Sequence, residues 1–244
     1  MIGDRFLFYF FIVEIFLCHT SHSLSIRKGR YQSYSLEQSL IDRGYEHVIG
    51  VDEVGRGAIA GPVLAVACCI SKNGHDLIEG VTDSKILSSD ERQNIFRQVL
   101  DQPEIYKWQS AQRSSQDIAR SNILKATMQC FRECIEEIVV SENFSLDQTY
   151  AIVDGKSTPK LTDTRAPIPC RPFVGADLKV YSVSIASIIA KELRDAIMME
   201  MNDLYPEYKF HENKGYQTRE HIEAIGKYGP SPIHRMSFKA LKHL

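Results

Sequence analysis

The stretch Val48-Ile49-Gly50-Val51-Asp52-Glu53-Val54-Gly55-Arg56-Gly57-Ala58-Ile59-Ala60-Gly61-Pro62 decides how the rest of this chain is read. It opens as a short apolar run, carries two adjacent acids, and then holds three glycines and a proline within eight residues. The run that follows, Val63 to Ile70, is apolar and partly β-branched. The pattern therefore predicts a strand at Val48–Asp52, a glycine turn and a second strand. Two carboxylates side by side repel and normally stay in solvent. A divalent cation relieves that repulsion, and hard carboxylate oxygens suit magnesium, manganese or calcium. Successive strand residues face opposite ways, so Asp52 and Glu53 can share a site only where the strand ends and the backbone turns, which Gly55 permits.

The same glycines admit a second reading. Gly55-x-Gly57-x-x-Ala60, with Asp76 downstream, satisfies the dinucleotide-binding fingerprint. That motif needs a helix to begin inside the glycine run, because the pyrophosphate sits on the helix N-terminus. Pro62 and the run after it favour a strand instead, and the acid pair would repel a pyrophosphate. A nucleotide-cofactor enzyme is set aside in favour of a metal site.

Working outward, Tyr150-Ala151-Ile152-Val153-Asp154-Gly155 repeats the grammar of apolar strand, acid and glycine. Ligand sites in mixed α/β sheets lie at strand tips, so two strands ending in Asp invite a shared site. Either one alone would read as an Asx turn. Gly175-Ala176-Asp177 supplies a third acid beside a glycine. Between these motifs, Leu36–Arg43 predicts a short helix and Asn73-Gly74 a hairpin turn. Asp83-Ser84-Lys85 precedes the capping box Ser88-x-x-Glu91, which starts a helix burying Ile95, Phe96, Val99 and Leu100. Tyr106–Gln112 predicts a third strand. Ile118–Val140 is the longest helical pattern, with Leu124, Thr127, Phe131 and Ile135 on its apolar face. Thr158–Pro172 holds four prolines and reads as loop. Val183–Met201 predicts a helix with a flat face of small residues. The series argues an α/β or α+β domain with a mixed sheet.

At 244 residues the chain buries a real core, as one domain with additions. Apolar content of 43% and charged content of 25% are those of an ordinary globular protein. The net charge of −2 does not mark a nucleic-acid binder, but Pro206–Leu244 carries seven Lys/Arg against four acids. None of the six cysteines forms a C-x-x-C pair and no histidines pair at i, i+4, which argues against zinc. Cys68 and Cys69 face opposite ways in a strand, and Cys130 and Cys134 lie one helical turn apart. They read as small buried hydrophobes in a reducing compartment. Phe6–Cys18 is strongly apolar; thirteen residues are too few for a membrane span but the right size for a signal-peptide core. Only Arg5, beside Asp4, flanks it; no small-x-small cleavage site follows, and Glu14 interrupts it. With the polar Ser21–Ser35 it reads as an extension, so residues 1–44 are expected outside the core, in a cytoplasmic protein without membrane association.

Taken in order, the motifs resemble those of the type 2 ribonuclease H (ribonuclease HII) family. They are Val51-Asp52-Glu53-Val54-Gly55-Arg56-Gly57, Asp83-Ser84-Lys85, Asp154-Gly155, Gly175-x-Asp177, Ser187-Ile188-Ile189-Ala190-Lys191 with Arg194-Asp195, Lys214-Gly215-Tyr216, and Gly229-Pro230-Ser231-Pro232-Ile233-His234-Arg235. The chain departs from the family's usual residues at Ala119, Lys156, Ile185 and Asn213, none of which is one of the acids.

The resemblance implies a ribonuclease H-like α/β fold with a mixed central sheet flanked by helices. The catalytic core would span residues 45–205, and a small, basic helical extension, 206–244, would belong to the same domain. Asp52, Glu53, Asp154 and Asp177 would group around two divalent ions, Mg2+ or Mn2+, with Asp52 bridging. Gly55, Arg56, Gly57, Lys85, Lys191 and Tyr216 would contact substrate, although Lys85 and Lys191 could equally pair with acids. The implied activity is that of a monomeric metal-dependent endonuclease. Its substrates would be RNA–DNA hybrids and duplex DNA carrying embedded ribonucleotides. Phosphodiester hydrolysis needs a water deprotonated near neutral pH and a stabilised leaving oxygen, which two such ions supply. The alternative is a catalytically silent binder of hybrid duplexes, which the four intact acids oppose.

Overall fold

A computed structural model describes residues 34–71, 77–162 and 164–242. The apolar segment Phe6–Cys18, the polar linker up to residue 33 and the Asn73-Gly74 turn lie outside them. The sheet has five strands: β1 (His47–Val54), β2 (Val63–Ile70), β3 (Tyr106–Arg113), β4 (Thr149–Asp154) and β5 (Cys170–Phe173). Their order is β3-β2-β1-β4-β5. β1, β2 and β3 form an antiparallel meander, whereas β4 runs parallel to β1 and β5 parallel to β4. The helices are α1 (Ser35–Ile41), α2 (Ser89–Leu100), α3 (Ser115–Arg120), α4 (Ile123–Ser141), α5 (Tyr181–Leu204), α6 (Phe210–Asn213) and α7 (Arg219–Tyr228).

Strand alternation divides the interior into two cores. Val63, Ala65, Ala67 and Cys69 of β2, with Ile49 and Val51 of β1, pack on Cys130, Phe131, Cys134 and Ile135 of α4. Leu64, Val66, Cys68 and Ile70 face the other way, onto Phe96 and Val99 of α2 and Ile185, Ile188 and Ile189 of α5. Each fully buried side chain of this size contributes about 1.5–3 kcal/mol, so the two helical layers pin the sheet from both faces. Cys68 and Cys69 thus do face opposite cores. At Gly50 a Cβ would lie 2.4 Å from the Ser182 carbonyl carbon, so β1 and α5 approach too closely for any side chain.

Several expectations need correction. β1 runs two residues past Asp52, because its ladder with β2 continues to the Val54–Leu64 pair. No helix begins in the glycine run; β2 follows it, which removes the dinucleotide reading. The Ile118–Val140 pattern is two helices, broken where the Asn122 side chain accepts from the Lys125 N–H at 2.9 Å and caps α4. Leu124 consequently falls in the first turn, half exposed. The proline-rich loop ends early, since Cys170–Pro172 enters β5, an edge strand where a missing N–H is tolerated. Finally, α1 lies on the core: Glu37 is fully buried, accepts from the Ser182 N–H at 2.8 Å, and Leu40 packs near Val48 and Val183. The boundary expected at residue 44 therefore fails for this helix.

Candidate active site

The register of β1 against β4 places the acids. Val51 pairs with Val153 in the parallel ladder, so Asp52 and Asp154 follow side by side at the same sheet edge. Both carry the parity that faces α5, whereas Glu53 shares the parity of Ile49 and Val51 and faces α4. The two neighbouring acids do not sit at a turn, as expected from sequence; they lie within β1, which continues to Val54 while β4 stops at Asp154. Asp177 comes in from the short turn Ala176–Leu178, which Gly175 enters at φ +71°. The Ala176 N–H donates to Asp154 Oδ1 at 2.7 Å, tying the third acid's turn to the second.

Burial and crowding set the electrostatics. The Asp52 carboxyl is pushed well up by burial, then by the charges of Glu53 and Asp154, with Ser187 opposing. Glu53 is raised by burial, although Arg56 Nη1 at 3.1 Å from its Oε1 works the other way. Asp154 is raised by burial and by Asp177. Among the described residues no basic side chain forms an ion pair with Asp52 or Asp154. Such a set of oxygen donors, short of positive charge, fits a hard divalent cation. Among the described residues no three His, Cys, Asp or Glu side chains converge as a ready-made cage. The carboxylates turn instead to local donors: Asp52 Oδ1 accepts the Glu53 N–H at 2.7 Å, and Asp177 Oδ2 accepts from Lys85 Nζ at 3.1 Å. An open arrangement suits magnesium, which keeps several waters and takes phosphate as ligand.

The other expected residues divide into two groups. Lys85 stands at the acids, exposed, and Arg56 is exposed beside Glu53. Lys191 is engaged within α5, donating to Asp195 Oδ1 at 2.6 Å. Gly55 and Gly57 differ from each other. Gly55 has φ +86°, and a Cβ there would lie 2.3 Å from Arg194 Nε, whereas a Cβ on Gly57 would meet nothing within 4 Å. Gly57 is thus the open position. Tyr216 joins the same rim, since the Gly215 carbonyl accepts from the N–H groups of Ile59 at 2.8 Å and Ala60 at 3.1 Å.

Sequence reading gave no role to Arg194, which underlies both segments. The signal was present: a charged residue between Leu193 and Ile197 interrupts the apolar face of α5. His234 and Arg235 are buried against the glycine loop. His221 Nδ1 must donate to the Tyr216 carbonyl at 2.8 Å, and His234 Nδ1 must accept from the Ser231 N–H at 2.8 Å. The 3.0 Å contact between their Nε2 atoms is then a bond from His234 to His221, with both rings neutral.

A sequence model described as Ribonuclease HII matches residues 49–241. The chain belongs to the ribonuclease HII family. The curated Ribonuclease HII of Chlamydia pneumoniae is 38% identical over 210 residues, covering 86% of this chain and 91% of that protein. Among solved structures, the ribonuclease H2 of Pyrococcus horikoshii OT3 aligns with a TM-score of 0.57 at 25% identity, covering 81% of this chain and 96% of that one. Bst-RNase HIII, solved in complex with Mn2+, shares the fold with a TM-score of 0.63 at 19% identity, covering 94% of this chain and 78% of its own. As a ribonuclease HII family member the chain is an endoribonuclease, a hydrolase of phosphodiester bonds. The ribonuclease H-like architecture implied by its sequence motifs is the one observed.

Proposed function

We infer that this chain hydrolyses the RNA strand of RNA–DNA hybrids and nicks duplex DNA on the 5′ side of an embedded ribonucleotide. The cut leaves 5′-phosphate ends and serves ribonucleotide removal during DNA replication and repair. One observation carries the reading. Asp52, two residues before the end of its strand, lies beside Asp154 at the end of the neighbouring parallel strand, on the face shared with Asp177, and the strand bearing Asp52 leads directly into the open backbone at Gly57. An acid cluster suited to phosphodiester chemistry therefore adjoins a loop whose bare backbone can reach a sugar.

Asp52, Glu53, Asp154 and Asp177 would hold two divalent cations, Mg2+ or Mn2+. When bound, these ions supply a nucleophilic water at neutral pH and neutralise charge on the leaving oxygen. The chain's own residues bind and orient. Arg56 and Lys85 offer exposed positive charge beside the acids, where strand phosphates would pass. Gly55, Arg56 and Gly57 present backbone groups to the ribose 2′-hydroxyl, and Tyr216 stacks on the following sugar. Lys191 reaches phosphate only by leaving Asp195. The basic segment Pro206–Leu244 makes binding fall with salt. The chain acts as a cytoplasmic monomer; the free state of Cys68, Cys69, Cys130, Cys134 and Cys170 supports a reducing compartment. No helix among the described residues is long and apolar enough to cross a membrane.

The test is a duplex containing one ribonucleotide, incubated with purified chain and Mg2+ or Mn2+. A nick 5′ to the ribose is expected, and none with Asp52→Asn. A duplex left uncut with both metals overturns the reading, and one bound tightly but uncut favours the silent binder.

A further inference from the structure

Arg194 and Arg235 are the two largest fully buried side chains among the described residues, and neither forms an ion pair there. Arg194 Nε donates to the Pro62 carbonyl at 3.0 Å, Nη2 to the Ala60 carbonyl at 3.2 Å, and Nη1 to the Lys214 carbonyl at 2.9 Å. Its guanidinium carbon lies 5.4 Å from the centre of the Tyr216 ring. Arg235 Nε donates to the Gly61 carbonyl at 2.9 Å and Nη1 to the Arg56 carbonyl at 3.2 Å, while Nη2 is buried without a partner.

Buried charge without a carboxylate is costly, and a second guanidinium nearby adds repulsion. Burial, then the charge of Arg194, pushes Arg235 down to about 9. Apolar side chains would fill this space more cheaply. What both guanidiniums hold is the Arg56–Pro62 backbone, and Arg194 alone also holds the Lys214–Tyr216 turn. We propose that Arg194 is a positioning residue for cleavage at an embedded ribonucleotide. It fixes the glycine loop against the Tyr216 turn, with Arg235 bracing the loop, so that Gly57 and Tyr216 meet the ribose and the next sugar as one rigid template. The proposal rests on the function inferred above. A lysine cannot replace it, because one ammonium lacks the planar fork that reaches three carbonyls at once.

The experiment compares wild type, Arg194→Ala and Arg194→Lys, each checked for folding by thermal melts. It reads kcat/KM on a single-ribonucleotide duplex and on a continuous RNA–DNA hybrid, with and without millimolar guanidinium. The ratio of the two kcat/KM values is expected to fall about tenfold or more in both variants, since a misplacement of about 1 Å away from the chemistry costs roughly a hundredfold. Guanidinium should restore part of the ratio in Arg194→Ala and none in Arg194→Lys. The Ile59 and Ala60 amides should lose hydrogen-exchange protection in both. A folded Arg194→Ala with the wild-type ratio, or equal losses on both substrates without a guanidinium response, overturns the positioning role alone. If neither variant folds, Arg194 is a folding residue and the proposal falls. A wild-type chain that leaves the single ribonucleotide uncut overturns the inferred function and this role with it.

Discussion

Gly55 and Gly57 stand two residues apart in one loop, yet the structure gives them different reasons to be glycine. At Gly55 an alanine meets two penalties. Its φ of +86° is a conformation that costs an L-residue roughly 1–2 kcal/mol, and its Cβ would overlap Arg194 Nε at 2.3 Å and the Pro62 carbonyl oxygen at 2.8 Å. Overpacking of that kind adds about 1–3 kcal/mol, for a total of about 2–5 kcal/mol. At about 2–4 °C per kcal/mol for a chain of this size, Gly55→Ala should melt about 4–20 °C below wild type. Gly57 lies outside the positive-φ glycines, and its Cβ would meet no atom within 4 Å. Gly57→Ala should therefore leave the melt unchanged or raise it slightly, by the roughly 0.4–1 kcal/mol that alanine removes from unfolded-chain entropy. If the loop lies against the sugar, the added methyl should instead lower kcat/KM by about 5- to 150-fold, the equivalent of about 1–3 kcal/mol of overpacking. Differential scanning fluorimetry and cleavage of a single-ribonucleotide duplex read the two effects separately. A Gly57→Ala enzyme with wild-type kcat/KM would remove the loop from the substrate. A Gly55→Ala enzyme as stable as wild type would refute the packing argument.

The remaining expectations are as direct. Asp52→Asn should abolish cleavage yet melt no lower than wild type, because asparagine keeps the acceptor for the Glu53 N–H and removes a charge that burial and two neighbouring acids oppose; near-normal turnover would exclude Asp52 as a ligand. Tyr216→Ala should cost about 1–3 kcal/mol of stacking at a single embedded ribonucleotide and less on a continuous hybrid; equal losses would make it a general support. The His221–His234 pair should make stability fall with acid. Burial lowers both, His234 to about 4, so between the ordinary value near 6.5 and that point the unfolded chain takes up protons that the folded one refuses. The advantage of wild type over His234→Asn in thermal melts should be constant above about pH 7 and shrink below about 6.5; a gap unchanged down to pH 5 would refute the neutral pair.

Most of the scaffold was legible because its signals are local. The continuous apolar run Val63–Ile70, the Ser88-x-x-Glu91 box and the Tyr150–Asp154 strand each depend on neighbours a few residues away. The break at Ser121-Asn122 was missed because an apolar stripe can continue through a cap that interrupts the backbone. Of the site, the acids drew attention because carboxylates near strand ends are costly without a cation, and the β1–β4 register does set Asp52 beside Asp154. How Asp52 and Glu53 relate could not be read, because it depends on β4 stopping one residue short of Glu53, a fact of register between distant strands. Arg194 stood out as a charge in an apolar helix, but its role could not be read for a similar reason: its partners are carbonyl oxygens, which no side-chain motif announces. The reach of α1 onto the core depends on Glu37 finding Ser182, 145 positions away.

Two of the cation–carboxylate contacts near the site differ in what they can do. Arg92 Nε meets Glu192 Oε1 at 2.8 Å with both side chains nearly buried, and the same arginine donates to the Ser84 and Leu87 carbonyls. Removing one partner of such a pair typically costs about 3–5 kcal/mol, so Arg92 is a fixed strut behind the Asp83–Lys85 segment. Lys85 meets Asp177 at 3.1 Å, but its side chain is 75% exposed against 10% for the acid. Exposed pairs of this kind contribute about 0–1 kcal/mol, because water already solvates the ammonium. The Lys85 ammonium itself therefore loses little on leaving Asp177, and on the proposed function it would carry its charge to an incoming phosphate. Asp177, nearly buried, is then left needing a cation beside Asp154. On the proposed function, that exchange would free the lysine for the strand and open the acid to a metal, while Arg92 holds the segment's backbone in place.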